Sequence, residues 1–443
     1  RRLGQGSLYL YRCPNARYDG HLVYTNRPVG GSYRALGAPQ GHFALESTMD
    51  RIAETLGMDP LEFRLKNRVP PEGQPGTRAT PTDAIVDTQP VEGGIPFSSN
   101  GLEQCLRQGA SAFGWGGTKQ ILPDPSRKIG RGMAMLIYRG GPGNLSSAEI
   151  RLDREGRVRL MVGTMDVGEG AETVLAQLAA ETLGVGYDDV DVVSADTSVT
   201  PIAPITAGST ATFSTGTAVV QAAGELRDKL LELATVGLEV SADQLEARGG
   251  YIYVQDSPER RMSLADVARH LPGDVLTAYA EITPGSTEYI VNAFGAHFVE
   301  VEVDTLTGKV YVRRYLAAHD SGRILSPTAA LNQVEGGISQ MLGYTLSEEL
   351  ITDGPTGITL NGSFLEHKCP SILDYNDIQV IFADIVDPVG PMGAKSLGEP
   401  PCVAVAPAVA NAIYDAIGVR FKELPITPDA ILRALDPPGG GAG

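Results

Sequence analysis

Gly393-Ala394-Lys395-Ser396-Leu397-Gly398-Glu399-Pro400-Pro401 sets one carboxylate between a glycine and two prolines. The apolar, alanine-rich run over 402–417 that follows reads as a helix. Proline is tolerated in a first helical turn, where the amide has no intrahelical acceptor. Glu399 therefore sits on a stiff corner at a helix start. Taken alone, such a glutamate could do no more than cap free amides. What it does depends on the rest of the chain.

Upstream of the corner one pattern occurs twice. Residues 148–152 and 158–162 form a hairpin, followed by Asp166-Val167-Gly168-Glu169-Gly170 and a helix over 172–183. Residues 297–303 and 310–316 form a second hairpin, followed by Asp320-Ser321-Gly322-Arg323 and a helix over 327–342. Both are hairpin, polar loop, helix, so the fold class is α+β with two similar lobes, as from a duplication. Between them the hydroxyl-rich stretch 204–216 leads into a helix over 217–233. Exposed amides and hydroxyls at a helix start cradle anions, although a plain capping turn uses the same residues.

Further upstream, residues 8–11 and 21–24 read as short strands. The glycine-rich loop over 27–40 then presents Arg34 among small residues. Helices follow over 43–56 and 60–67, a Pro/Gly/Thr-rich connector over 69–96, and another helix over 101–113. The expected organisation is a first piece over 1–70, a connector over 71–100, one lobe over 101–285 and a second over 286–443 carrying Glu399.

The formal charge of −17 argues against nucleic acid or an anionic membrane as main partner. No apolar run looks long enough to span a bilayer. Cys13, Cys105, Cys369 and Cys402 are scattered with no CxxC pair, which suits a reducing compartment, the cytoplasm, and offers no iron–sulfur pattern. Six scattered histidines without an HxxxH spacing argue against a protein-ligated zinc or non-haem iron site. The opening Arg1-Arg2-Leu3-Gly4-Gln5-Gly6 reads like the middle of a domain, so the chain is expected to be a portion of something longer.

Taken together and in order, these loops resemble the molybdenum-binding subunit of the xanthine dehydrogenase/aldehyde oxidoreductase family, the molybdenum hydroxylases. The resemblance rests on Ser32-Tyr33-Arg34-Ala35-Leu36-Gly37-Ala38-Pro39-Gln40, Glu46, Met49-Asp50 and Gly57-Met58-Asp59-Pro60. It continues through Gly168-Glu169-Gly170, Thr206-Ala207-Gly208-Ser209, Asn332-Gln333-Val334-Glu335-Gly336, the stretch from Gly393 to Pro401, and Leu424-Pro425-Ile426-Thr427-Pro428. It covers nearly the whole chain, and it implies the molybdopterin-binding fold of that family.

The resemblance implies a molybdenum-bearing molybdopterin, with or without a cytosine dinucleotide, and no protein ligand to the metal. Its expected contacts are Arg34, Gly168, Glu169, Gly170, Ala207, Gly208, Ser209, Thr210, Thr212, Gln333, Lys395 and Ser396. Glu399 is the expected general base, Arg34 the cation that orients substrate, and Tyr33, Leu36, Met133 and Ala134 the substrate pocket. Leu36 stands where xanthine-oxidising members carry a ring-stacking phenylalanine, which speaks against a purine. Glu169 stands where most members carry glutamine, and an ionised glutamate cannot donate a hydrogen bond. The implied activity is oxidative hydroxylation of an N-heteroaromatic or aldehyde. Partner chains would supply the N-terminal part of the subunit, iron–sulfur clusters and FAD. The alternatives are an aryl-CoA reductase-like member, or a non-catalytic subunit that completes the cofactor envelope.

Overall fold

The computed structural model describes residues 2–71, 96–283 and 288–436, except 14, 22, 27–29, 142 and 144. Most of the connector over 71–100 thus lies outside the described residues. In chain order the helices and strands are α1 (Arg2–Tyr9), α2 (Ala38–Thr55), α3 (Pro60–Asn67), α4 (Leu102–Phe113), β1 (Arg127–Arg139), β2 (Ser146–Asp153), β3 (Val158–Val162), α5 (Ala171–Leu183), β4 (Val190–Ser194) and α6 (Gly216–Leu238). There follow β5 (Leu245–Arg248), β6 (Tyr251–Val254), β7 (Ser257–Ser263), α7 (Leu264–Ala268), β8 (Val275–Ile282), β9 (Asn292–Asp304), β10 (Val310–Asp320), α8 (Pro327–Leu346), β11 (Ile378–Phe382), α9 (Val405–Ile417) and α10 (Pro428–Leu435).

The repeated pattern becomes two sheets of one topology. Strands run β8-β2-β3-β4 in one and β1-β9-β10-β11 in the other. In each, an antiparallel hairpin leads through a helix (α5 or α8) to a strand parallel to the hairpin's second strand, β4 or β11. The outer strand of each sheet pairs antiparallel with the first hairpin strand, β8 on β2 and β1 on β9. Here the chain departs from the expected boundaries. Residues 127–139 were placed with the first lobe, yet β1 pairs along its whole length with β9 of the second. Pairing is long-range, and a buried strand such as β1, with Met133 to Tyr138 wholly covered, carries no mark of which sheet it joins.

Helix α9 locks this second sheet. Gly130 and Gly132 lie two apart on one face of β1, and a Cβ on either would come within 2.0 or 2.2 Å of the α9 backbone at Ala412 and Ala408. Only glycine lets the helix lie this close, and alanines at 404, 406, 408, 410 and 412 complete the fit. The helix is buried nearly all round, as expected of one inside a large core. With the turn before it, Pro400–Ile417 is 18 residues with a mean hydropathy of 1.2, enough by length and composition to cross a bilayer, contrary to the expectation above; 78% of it is buried within this fold.

Near the N-terminus the expected strand over 8–11 is wrong. Residues 8 and 9 end α1, and Tyr11 makes a single bridge to Arg68. The described residues of 21–24 carry no strand. The glutamate and aspartate of the α2 motif serve packing. Arg64, fully buried, reaches Glu46 Oε2 at 2.8 Å and Asp50 Oδ1 at 3.3 Å, while Tyr11 donates to Glu46 Oε1 at 2.5 Å. Glu46 Oε2 also accepts from the Met135 amide of β1. Tyr11, α2 and α3 are thereby pinned to the second sheet, and removing one member of such a buried pair costs about 3–5 kcal/mol.

Candidate active site

A cleft of about 610 Å³ opens between the lobes, lined by residues 32–36, 167–169, 205–212, 321–333 and 394–399 among others. Three helix starts meet there. The loop before α5 contributes Gly168 and Glu169. Ala211–Thr215, a π-helical turn, leads into α6, and Ser326, Ala329 and Ala330 open α8. The first amides of a helix lack intrahelical partners and carry its positive dipole end. The starts of α6 and α8 therefore suit an anion, whereas at α5 the Asp166 carboxylate already accepts the amides of Gly168, Gly170 and Glu172. The π turn begins α6 earlier than the expected residue 217, and single π turns recur at functional sites.

Glu399 stands at the inner wall, and it is no helix cap. Its side chain makes no cap bond to the 3-10 turn Pro400–Cys402, which separates it from α9. Instead Oε1 accepts the Ala35 amide at 3.0 Å, and Oε2 accepts the Tyr138 hydroxyl at 2.7 Å and the Ser209 hydroxyl at 3.3 Å. The Glu399 amide in turn donates to Ser209 Oγ at 2.7 Å. The backbone bends sharply to deliver these donors. Ala35 (φ 74°), Leu36 (φ 43°) and Ser209 (φ 57°) all take left-handed conformations, each costing about 1–3 kcal/mol. Strain of that kind persists where the surroundings over-determine it.

Arg34 staples the loop to the corner. Its Nε donates to the Gly398 carbonyl at 2.6 Å, and Nη2 donates to the same oxygen. Nη2 also reaches the Gln333 carbonyl at 3.2 Å and Gln333 Oε1 at 2.8 Å. Gly337 on α8 packs under the same corner, since a Cβ there would sit 3.0 Å from Pro401 Cβ. Arg34 and Gln333 thus both line the cleft and hold each other.

The remaining expected contacts divide. Gly168, Glu169, Ala207, Gly208, Ser209, Thr210, Thr212, Lys395 and Ser396 line the cleft; Gly170 starts α5 beside it. Ser396 donates to the Ser209 carbonyl at 2.5 Å, tying two walls together. Lys395 departs from expectation. Its side chain is wholly buried and its ammonium is 2.7 Å from Asp320 Oδ2, so only its main chain can face the cleft. Tyr33 and Leu36 line the cleft mouth. Tyr33 packs its ring 5.3 Å from Tyr344, and burial, then the nearby Glu348 carboxylate, push its hydroxyl up to about 12. Met133 and Ala134 do not reach the cleft. Both are fully covered in β1, on opposite faces of the sheet.

Glu169 shares the cleft wall with a polar orphan. Its Oε2 accepts the Val167 amide at 2.7 Å, but Oε1 is buried with no protein partner, and burial pushes the carboxyl up. Asp166 beside it behaves oppositely. Burial opposes its ionisation, yet amides of Gly168, Glu172 and Gly170 hold it below the usual range. Ser321 Oγ, also on the cleft, is the second buried orphan. Sequence reasoning did not single out Ser321, Tyr138 or Ala35. Ser321 was legible as part of a polar loop, whereas Tyr138 ends an apolar strand and gives no signal.

The family profile described as molybdopterin cofactor-binding domain matches residues 108–376, and a second such profile matches residues 1–68. The xanthine dehydrogenase molybdenum-binding subunit of Escherichia coli O157:H7 is 35% identical over 439 residues, covering 96% of this chain and 56% of the relative. The aldehyde oxidoreductase molybdenum-binding subunit of Escherichia coli K12 is also 35% identical, covering 97% and 56%. Among solved structures, quinoline 2-oxidoreductase from Pseudomonas putida 86 superposes with a TM-score of 0.81 at 26% identity, over 98% of this chain and 57% of that one. The chain belongs to the molybdenum-binding subunits of the molybdenum hydroxylase family, and it spans a little over half the length of these relatives.

The residues present suit a molybdopterin. The starts of α6 and α8 can receive phosphate, and Glu169 and Ser321, which line the cleft, each bury an oxygen with no hydrogen-bond partner. The residues that would hold it are those of 168–170, 207–212, Gln333 and the main chain of 395–396.

Proposed function

We propose that this chain is the catalytic portion of a molybdenum hydroxylase that inserts a water-derived oxygen at an electron-poor carbon of an N-heteroaromatic or aldehyde substrate. The observation that supports this reading best is the Glu399 carboxylate, held by Ala35, Tyr138 and Ser209 on the wall of the cleft. When bound, the molybdopterin, with or without a cytosine dinucleotide, supplies two-electron redox chemistry. The protein's part is positional and protolytic. Glu399 takes the proton from the attacking water oxygen. Arg34 fixes the corner and stabilises charge that develops on the substrate. Tyr33 and Leu36 shape an entrance with no aromatic ring at 36, which favours substrates other than purines. Partner chains with iron–sulfur clusters and FAD would carry electrons away, and a chain with the N-terminal part of the subunit would close the cleft.

Glu399→Gln tests the reading. The amide keeps the shape and removes the base, so substrate oxidation by the assembled enzyme should fall about 10²–10⁴-fold with molybdenum content unchanged. Normal turnover in a fully loaded variant would reduce Glu399 to a wall residue. Turnover in the reductive direction alone, with an aryl-CoA substrate, would favour the reductase branch.

A further inference from the structure

Outside the cleft, one cluster of ligating side chains has no part in the proposed reaction. Glu348, His367 and Cys369 bring a carboxylate oxygen, an imidazole nitrogen and a thiol sulfur within 4.8 Å of one another. No spacing motif announces them, because Glu348 follows α8 while the other two lie on an extended segment that returns to it. The fold holds them together from both sides. Gly343 in the last turn of α8 makes room: a Cβ there would meet Glu348 Oε1 at 2.2 Å and Pro370 Cδ at 2.6 Å. The Glu348 amide donates to the Gly343 carbonyl at 2.8 Å, and Ser347 Oγ donates to the Lys368 carbonyl at 2.8 Å. Both neighbours of Cys369 are therefore seated on the end of α8, which sets the thiol beside the carboxylate.

We propose that Glu348, His367 and Cys369 form a zinc site that clips the segment after α8 to the end of that helix. Thiolate, imidazole and carboxylate together suit Zn²⁺, with a fourth position left to water. Ligand atoms around tetrahedral zinc lie about 3.5 Å apart. The three atoms lie within 4.8 Å of one another, with Glu348 and His367 half-buried and Cys369 exposed, so zinc binding draws them together. On binding, the thiol proton leaves to solvent, and the cation offsets the repulsion between thiolate and carboxylate. The site adjoins the cleft mouth, for Tyr33 donates to Glu348 Oε2 at 3.5 Å.

Equilibrium dialysis of the assembled enzyme against Zn²⁺, followed by metal analysis, tests this independently of turnover and of the hydroxylase reading. The wild type should bind one equivalent of zinc beyond its other metals. Cys369→Ser keeps a hydrogen-bonding group but loses the soft ligand, and His367→Ala loses the imidazole; each should weaken binding more than about tenfold. Cys13→Ser, at another exposed cysteine, should bind like the wild type. Zinc should also slow proteolysis within residues 350–373 of the wild type but not of Cys369→Ser. No stoichiometric zinc in the wild type, or equal affinity in Cys369→Ser, overturns the proposal.

Discussion

A single carboxylate acquires its role from what surrounds it, and Glu399 and Glu169, which both line the cleft, show two outcomes. Glu399 receives three donors from three separate segments, residues 35, 138 and 209. Glu169 receives one amide and buries its other oxygen without a partner. Burial raises the Glu169 carboxyl above its ordinary range, so the folded chain holds this proton more tightly than the unfolded one. The stability that goes with it is fully present below the unfolded value and is lost as pH rises through the folded one. Glu169→Gln removes the titration. Thermal melts should show the variant more stable near neutral pH, with the gap closing as pH falls towards the ordinary carboxylate range. Identical curves at all pH values would show that the ionised form is solvated where it stands. That Glu169 occupies a glycine-flanked loop was plain from its neighbours. Its orphaned oxygen was not, since burial of one atom depends on walls supplied by residues far along the chain.

At the scale of elements, the corner before α9 depends on how closely that helix can approach β1. A Cβ on Gly132 would fall 2.2 Å from both the Ala408 carbonyl and the Ala412 amide, which are backbone atoms that cannot rotate away. Gly132→Ala should therefore lower stability by about 1–3 kcal/mol, as overpacking does. It should lower turnover as well, because any shift of α9 moves the turn that carries Glu399. Denaturant melts and steady-state rates of the purified variant check both effects. The hairpins, α5 and α8 were legible because period-two and period-3.6 apolar patterns report one face of one element, and α9 because an apolar, alanine-rich run follows the two prolines. The strand expected over 8–11 failed because four apolar or aromatic residues fit the end of a short helix equally well.

At the scale of the molecule, the cleft has walls from both lobes and from residues 32–36, and an apolar face lies exposed nearby. Leu350, Leu360, Phe364, Leu365, Ile372 and Leu373 stand out into solvent on the segment after α8. With relatives nearly twice as long, the chain expressed by itself should emerge from desalting without bound molybdenum. Co-expression with the remaining portion of the subunit should restore a stoichiometric content by metal analysis. A molybdenum-loaded chain purified alone would show that the cleft described here suffices.

The order of the loops, the α+β lobes and the stiff setting of Glu399 were written in the sequence, because turn chemistry and apolar period act over a few residues at a time. The pairing of β1 with the second lobe was decided only by the tertiary structure, as were the commitment of Lys395 to Asp320, the covering of Met133 and Ala134, and the meeting of Tyr138 with Glu399. Each of these brings together residues from about 75 to more than 250 positions apart, and no local propensity distinguishes a strand, a lysine or a tyrosine that will be met from one that will not.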